Sequence, residues 1–214
     1  MQDSRQNSQQ GSQAPVTTSR FSKPQLRRRM RAARRALTIH QQRTASRRLC
    51  TRLALSAEVQ NARHIGIYWP MDGEVDLRPL LQRFADKRFY LPVLPRNPRQ
   101  QLSFHRWRGE ALRYRNRYGI PEPLVGQPHN EPRAPHFLDL VLLPLVAFDP
   151  RGGRLGMGAG LYDRTFAFKH RLPGSGPKLI GVAHQLQCVD FLPVDSWDIP
   201  LAVVATDRRL YRCR

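Results

Sequence analysis

Cysteine is nearly missing from this chain: Cys50, Cys188 and Cys213 are odd in number, far apart and in no CxxC spacing. A disulfide framework and a zinc knuckle are thereby excluded. No apolar run approaches the roughly 20 residues of a membrane span, and the first residues lack an apolar signal core, so a cytoplasmic protein with no membrane contact is expected. The seven histidines form no HExxH or HxH pair, which removes the common zinc-hydrolase signatures, and there is no GxSxG nucleophile elbow. Acidic residues are scarce too, 16 Asp plus Glu against 36 Lys plus Arg, for a net charge of +20. Lysine stands only at Lys23, Lys87, Lys169 and Lys178, so the cationic surface is arginine. Such a surface draws polyanions through a field that carries no sequence specificity. Nucleic acid is therefore a conceivable partner of the basic surface without being the expected function.

What is present reads as one domain. Residues 1–20, rich in Gln and Ser, hold too little apolar surface to offset the entropy of ordering and are expected to be a disordered tail. Residues 21–214 are expected to form a single α/β domain and a monomer. Ser22 can cap a helix that tolerates Pro24 in its first turn and places Leu26, Met30, Ala33 and Leu37 on one face. The other face is arginine, either solvated or, through Lys23 or Arg27, reaching an anion. A second helix is expected from Ile39 to Leu55, with Ala45, Leu49 and Leu53 on its stripe.

Strand composition recurs at 64–69, 88–94, 102–107, 138–143, 178–183 and 201–206, with helical spacing at Leu77 to Phe84 and at Tyr162 to Leu172. The segment 119–133 is too rich in Pro and Gly to be regular. Strands alternating with helices argue for a three-layer fold: an open, mainly parallel sheet with helices on both faces. Ligands of such sheets gather at the carboxyl ends of the strands.

One stretch, Val141 to Arg164, stands out: an apolar run passes through Pro144 and Asp149 and then sets Gly152, Gly153, Gly156, Gly158 and Gly160 close together. It ends in no GK[ST], and its alternating glycines are not a dinucleotide fingerprint. Glycines at alternate positions let backbone N–H groups approach a phosphate, although the same pattern also serves a tight strand-to-helix turn. Arg154 adds a guanidinium fork suited to phosphate. Asp163 and Asp198 read locally as a helix-start carboxylate and a turn former; the alternative is a magnesium bridge to a polyphosphate.

Five segments in order resemble the 5-formyltetrahydrofolate cyclo-ligase family, also called methenyltetrahydrofolate synthetases. They are KPQLR (23–27), IYWPMDGEVD (67–76), YGIPEP (118–123), LPLVAFDPRGGRLGMGAGLYDR (143–164) and LPVDSWDIPL (192–201). The resemblance implies ATP- and Mg²⁺-dependent cyclisation of 5-formyltetrahydrofolate to 5,10-methenyltetrahydrofolate, through a phosphorylated formyl group, with release of ADP and phosphate. It implies ATP contacts at Lys23, Pro24, Gln25, Leu26 and Arg27, and again at Arg154, Leu155, Gly156, Met157, Gly158, Ala159, Gly160, Leu161 and Tyr162. The folate would meet Trp69, Glu74, Met157, Leu161 and Tyr162, and the metal Asp163 and Asp198. Arg154 and Glu74 are the expected catalytic pair. Met157, Ala159, Leu161 and Trp197 depart from the family's usual residues. The excess of arginine makes a polyglutamylated folate a reasonable substrate form. Two alternatives remain at this point: a basic RNA-binding protein without catalysis, and a folate- or nucleotide-binding protein that has lost the reaction.

Overall fold

In the computed structural model, residues 21–97 and 99–213 are described; the tail expected over 1–20 lies outside the described residues. The first two helices begin where the sequence sets their caps. Ser22 Oγ accepts from Gln25 N–H at 3.4 Å while the Gln25 side chain accepts from Ser22 N–H at 2.9 Å, closing a capping box at the start of α1 (Lys23–Arg35). Thr38 and Gln41 repeat the arrangement for α2 (Ile39–Ala54), at 3.2 and 2.8 Å. Each such cap contributes about 1 kcal/mol. On α2 the expected stripe of Ala45, Leu49 and Leu53 is buried together with Ser46, Cys50 and Ala54. On α1 the third buried residue is Arg34 rather than Ala33, which is exposed, or Leu37, which is half-buried. Spacing of four from Leu26 and Met30 carries Arg34 inward, and its charge is met there by carboxylates and carbonyls.

The sheet has eight strands. In chain order they are β1 (His64–Gly66), β2 (Arg88–Val93), β3 (Ser103–Trp107), β4 (Pro132–Arg133), β5 (Leu140–Pro144), then, after a separate hairpin of β6 (Ala147–Phe148) and β7 (Arg154–Leu155), β8 (Lys178–Ala183), β9 (Val203–Thr206) and β10 (Leu210–Arg212). Their spatial order is β10-β9-β8-β5-β1-β2-β3-β4. The run from β9 to β2 is parallel, and β10, β3 and β4 are antiparallel at the edges. The two-residue period of a strand sorts the side chains. Ile65, Leu140, Leu142, Ile180 and Val182 face one core with Leu49 and Leu53 of α2, Val59 of α3 (Ala57–Asn61) and Leu80 of α4 (Pro79–Arg83). Val141, Leu143, Leu179 and Ala183 face the other, under Phe148, Leu201 and Phe166, the last following α5 (Leu161–Thr165). This is the mainly parallel α/β sheet expected. Among the described residues no helix is long and apolar enough to cross a membrane.

Several elements are shorter than the sequence suggested, for tertiary reasons. The helix expected from Tyr162 to Leu172 stops at Thr165 and resumes as a 3-10 turn over Ala167–His170. Phe166 breaks it: its ring is fully buried, tilted against Phe104 and stacked on Tyr162. The helix expected from Leu77 to Phe84 is reduced to the one turn of α4. The β6–β7 hairpin was not anticipated, and it removes Gly152 and Gly153 from the phosphate-loop reading. Asp149 is buried there, accepting from Arg151 N–H at 2.9 Å, Gly153 N–H at 3.0 Å and Leu192 N–H at 2.9 Å. Gly152 sits at φ +97, where a Cβ would lie 2.6 Å from Leu201 O, so this glycine is required by the turn itself.

Candidate active site

α1 is docked by Leu26 and Met30 against Val146, Ala147, Leu155, Val189 and Leu192. That places its first turn over the loop between β7 and α5. Arg27 Nε donates to Gly156 O at 2.9 Å, and the Arg27 guanidinium lies 3.5 Å from where a Cβ on Gly158 would stand. Lys23 Nζ is 2.5 Å from Asp195 Oδ2, and Asp195 N–H donates to Asp198 Oδ2 at 2.9 Å. Arg154 Nη2 pairs with Asp163 Oδ1, and Arg154 Nε donates to Ile199 O at 3.0 Å. Ile199 N–H returns to Asp163 Oδ1 at 3.3 Å. Lys23, Arg27, Arg154, Gly156, Gly158, Asp163 and Asp198 therefore form one connected set drawn from α1, the glycine loop and the 195–199 loop.

The remaining glycine-loop residues divide by exposure. Gly156, Met157, Gly158 and Ala159 are open to solvent, with Met157 53% exposed. Gly156 has free space where a Cβ would go, Gly158 lies at φ +100, and Gly160 starts α5 in the left-handed conformation. Leu26 and Leu155 are core residues, 2% and 3% exposed, so only their backbones can serve a ligand. Gln25 is occupied by its cap and Pro24 is exposed on the first turn. Leu161 and Tyr162 pack half-buried against the second core.

Electrostatics single out two groups. Burial lowers the pKa of Arg154, opposed by the charges of Asp163 and then Asp198. Burial pushes Glu74 up to about 7, opposed chiefly by Arg34. The Glu74 carboxylate accepts from Met71 N–H at 3.1 Å and lies 3.6 Å from Arg34 Nη1. Tyr68 and Tyr162 are held protonated, by burial first and then by the charge of Glu74. Tyr162 feels the charges of both Glu74 and Arg154. The Trp69 ring meets Trp107 edge-on at 5.6 Å and carries the Arg78 guanidinium at 5.1 Å.

A cleft of about 650 Å³ opens between α2 and the 70–79 loop. Of the expected site residues only Glu74 lines it. The connected set at the glycine loop lies outside this cleft and is built from α1 and two converging loops.

Asp163 and Asp198 are the candidate metal ligands. Each engages one oxygen with the protein, Asp163 with Arg154 and Ile199 and Asp198 with Asp195, which leaves the second oxygen of each outside those bonds. Among the described residues there is no cluster of three or more His, Cys, Asp or Glu able to hold a metal. Two carboxylates without a third protein donor suit Mg²⁺, which completes its shell with phosphate oxygens and water, so the pair fits that ion. Sequence reasoning did not single out two further residues: Asp72, at φ +53, and Arg34. The fourfold spacing from Leu26 and Met30 was the available signal for Arg34.

Fold and site together define an open-sheet α/β protein that gathers partly buried cations and two carboxylates beside a glycine loop. Residues 19–207 match the 5-formyltetrahydrofolate cyclo-ligase family, and the chain belongs to that family. It is 37% identical over 185 residues to the 5-formyltetrahydrofolate cyclo-ligase of Escherichia coli K12, covering 85% of this chain and 98% of that protein. It is 36% identical over 186 residues to the enzyme of that name from Haemophilus influenzae, covering 83% and 93%. The solution structure of Aquifex aeolicus 5,10-methenyltetrahydrofolate synthetase superposes with a TM-score of 0.75 at 32% identity, covering 90% of this chain and 93% of that one. The chain is accordingly an enzyme with cyclo-ligase activity toward a folate.

Proposed function

We propose that the enzyme cyclises 5-formyltetrahydrofolate to 5,10-methenyltetrahydrofolate at the expense of ATP, with Mg²⁺ as cofactor. The observation that carries this reading is the connected set of Lys23, Arg27, Arg154, Asp163 and Asp198 around the open Gly156–Gly158 backbone. Three cations beside exposed backbone amides suit a polyphosphate. Asp163 and Asp198 would hold Mg²⁺, which when bound supplies charge neutralisation for the phosphate oxygens.

A formyl amide oxygen is a poor leaving group. In this reading it displaces ADP from the γ-phosphorus, forming a C–O–P bond. The lone pair of N10 then closes on the formyl carbon, the C–O bond breaks with its electron pair leaving on phosphate, and the N10 proton is lost to solvent. The protein's part is positioning and charge neutralisation. Arg154, fixed on Ile199 O and Asp163, lends charge to the transferring phosphoryl group, and Lys23, released from Asp195, reaches the other phosphates. Glu74 accepts the adjacent N–H donors of the pterin, while Trp69, Leu161 and Tyr162 offer apolar and aromatic surface to its rings. Calorimetric titration with ATP tests the nucleotide half: binding that strengthens with Mg²⁺ and is lost in Arg154→Met supports it, and equal affinity in both proteins contradicts it.

A further inference from the structure

Arg34 lies in none of the segments that carry the family resemblance, yet it is the largest fully buried side chain among the described residues, 1% exposed. A buried guanidinium is tolerated only when its donors are met. Here Nε donates to Asp72 O at 2.8 Å, Nη2 to Asp72 Oδ2 at 2.9 Å and Nη1 to Leu145 O at 3.3 Å, with Glu74 Oε1 at 3.6 Å. One side chain of α1 thus clasps both the 71–74 turn and the carboxyl end of β5.

That turn needs holding. Asp72 and Gly73 are consecutive left-handed residues, at φ +53 and +76, and for a residue bearing a side chain this conformation costs about 1 kcal/mol or more. A Cβ on Gly73 would lie 3.1 Å from Arg34 O, so the turn is also pressed against α1. From the other side His184 Nε2 donates to Gly73 O at 2.9 Å. Glu74 is the residue this turn delivers, its N–H donating to Met71 O at 2.9 Å.

We propose that Arg34 is a positioning residue for the folate: it holds the Met71–Glu74 turn and fixes the Glu74 carboxylate in the orientation that accepts two N–H donors of the substrate. This rests on the reading that Glu74 binds the folate. A carboxylate takes a pair of neighbouring donors only when it is ionised and its plane is fixed. The charged and titratable groups facing Glu74 are Arg34 and Arg31 of α1, Asp72 in the turn, Tyr68 beyond β1 and Tyr162 of α5. Arg34 is the strongest of these opposing the effect of burial.

The test is calorimetric binding of 5-formyltetrahydrofolate, without nucleotide, across pH 5.5 to 9, using wild type, Arg34→Met, Arg34→Lys, Asp72→Asn and Glu74→Gln. In wild type the affinity should fall below a breakpoint near pH 7. Arg34→Met should move that breakpoint about one pH unit alkaline, making binding about fivefold weaker at pH 7, while ATP affinity changes by less than about twofold. Arg34→Lys keeps the charge but not the fork, and should weaken folate binding several-fold at every pH with the breakpoint retained. If Arg34→Met does not fold, Arg34→Lys and Asp72→Asn carry the test, both weakening folate but not ATP. Folate affinity and breakpoint unchanged in the Arg34 and Asp72 variants, or folate and ATP weakened equally, overturns the proposal. Glu74→Gln binding folate like wild type overturns the underlying reading instead, so the two failures are distinct.

Discussion

Asp163→Asn separates a brace from a ligand. In the fold Asp163 bonds Arg154 and accepts from Ile199 N–H at 3.3 Å, with the arginine side chain 8% and the aspartate side chain 25% exposed. Two unit charges about 4 Å apart attract by about 4 kcal/mol at an effective dielectric of about 20, before desolvation is subtracted. Breaking a fully buried pair by removing one partner costs about 3–5 kcal/mol. Asp163 is a quarter exposed and asparagine keeps an acceptor for Ile199, so a smaller loss of about 1–3 kcal/mol is expected. For a chain of this size that lowers the melting temperature by about 2–10 °C. Turnover should fall much further. A neutral amide cannot serve as a magnesium carboxylate, and losing one preorganised electrostatic contact to a transferring group costs about 10²–10³ in kcat. Thermal denaturation gives the first quantity. Initial rates titrated with Mg²⁺ give the second, and the apparent activation constant for the metal should rise at least about tenfold. A variant with kcat within about threefold of wild type and an unchanged metal constant refutes the ligand role, leaving Asp163 as a support for Arg154.

Glu74 predicts a trade of stability for binding. Its pKa moves from an ordinary 4.5 to about 7, so the folded protein holds a proton there that the unfolded chain has lost, and stability falls as pH rises between those values. Glu74→Gln should therefore be more stable than wild type at pH 8, by up to about 3 kcal/mol in chemical denaturation, while losing folate affinity; equal or lower stability at pH 8 counts against the buried-carboxylate account. In the glycine loop, Gly156→Ala meets free space and should melt with wild type yet bind ATP more weakly if its amide approaches phosphate, whereas Gly158→Ala, forced to φ +100, should lose both stability and affinity. Equal melting of the two variants would contradict this division. Leu26→Ala removes a docking contact of α1 and should cost about 2–4 kcal/mol and raise the KM for ATP without affecting folate affinity; a stability loss with no change in KM would show that α1 does not carry the nucleotide contacts.

Periodicity sufficed for the elements whose pattern is local. The capping residues Ser22 and Thr38, the stripe of α2 and the apolar β5 and β8 are all decided within a few neighbouring residues, and the structure follows them. The parts that differ are decided by distant chain. Phe166 leaves its helix because a core pocket beside Phe104 receives it, and Gly152 and Gly153 serve Asp149 because the hairpin folds onto Leu192 and Leu201. For the site, the glycine loop and its arginine were visible as types in a row, while the role of Asp198 depends on Lys23 and Asp195, some 170 positions apart in the chain. Arg34 belongs to the helix α1 whose arginine face the sequence left as either solvated or anion-reaching. The turn carrying Asp72 and Glu74, with the Leu145 carbonyl, explains why that arginine alone is buried among the described residues.

Growth of methenyl absorbance when purified enzyme meets 5-formyltetrahydrofolate, ATP and Mg²⁺ shows whether this chain couples ATP to closure of the folate ring. Steady turnover is expected with one ADP formed per methenyl product, abolished when ATP or Mg²⁺ is omitted and reduced in Asp163→Asn. Methenyl formation that proceeds equally without nucleotide, or binding of both ligands with no product, would contradict it.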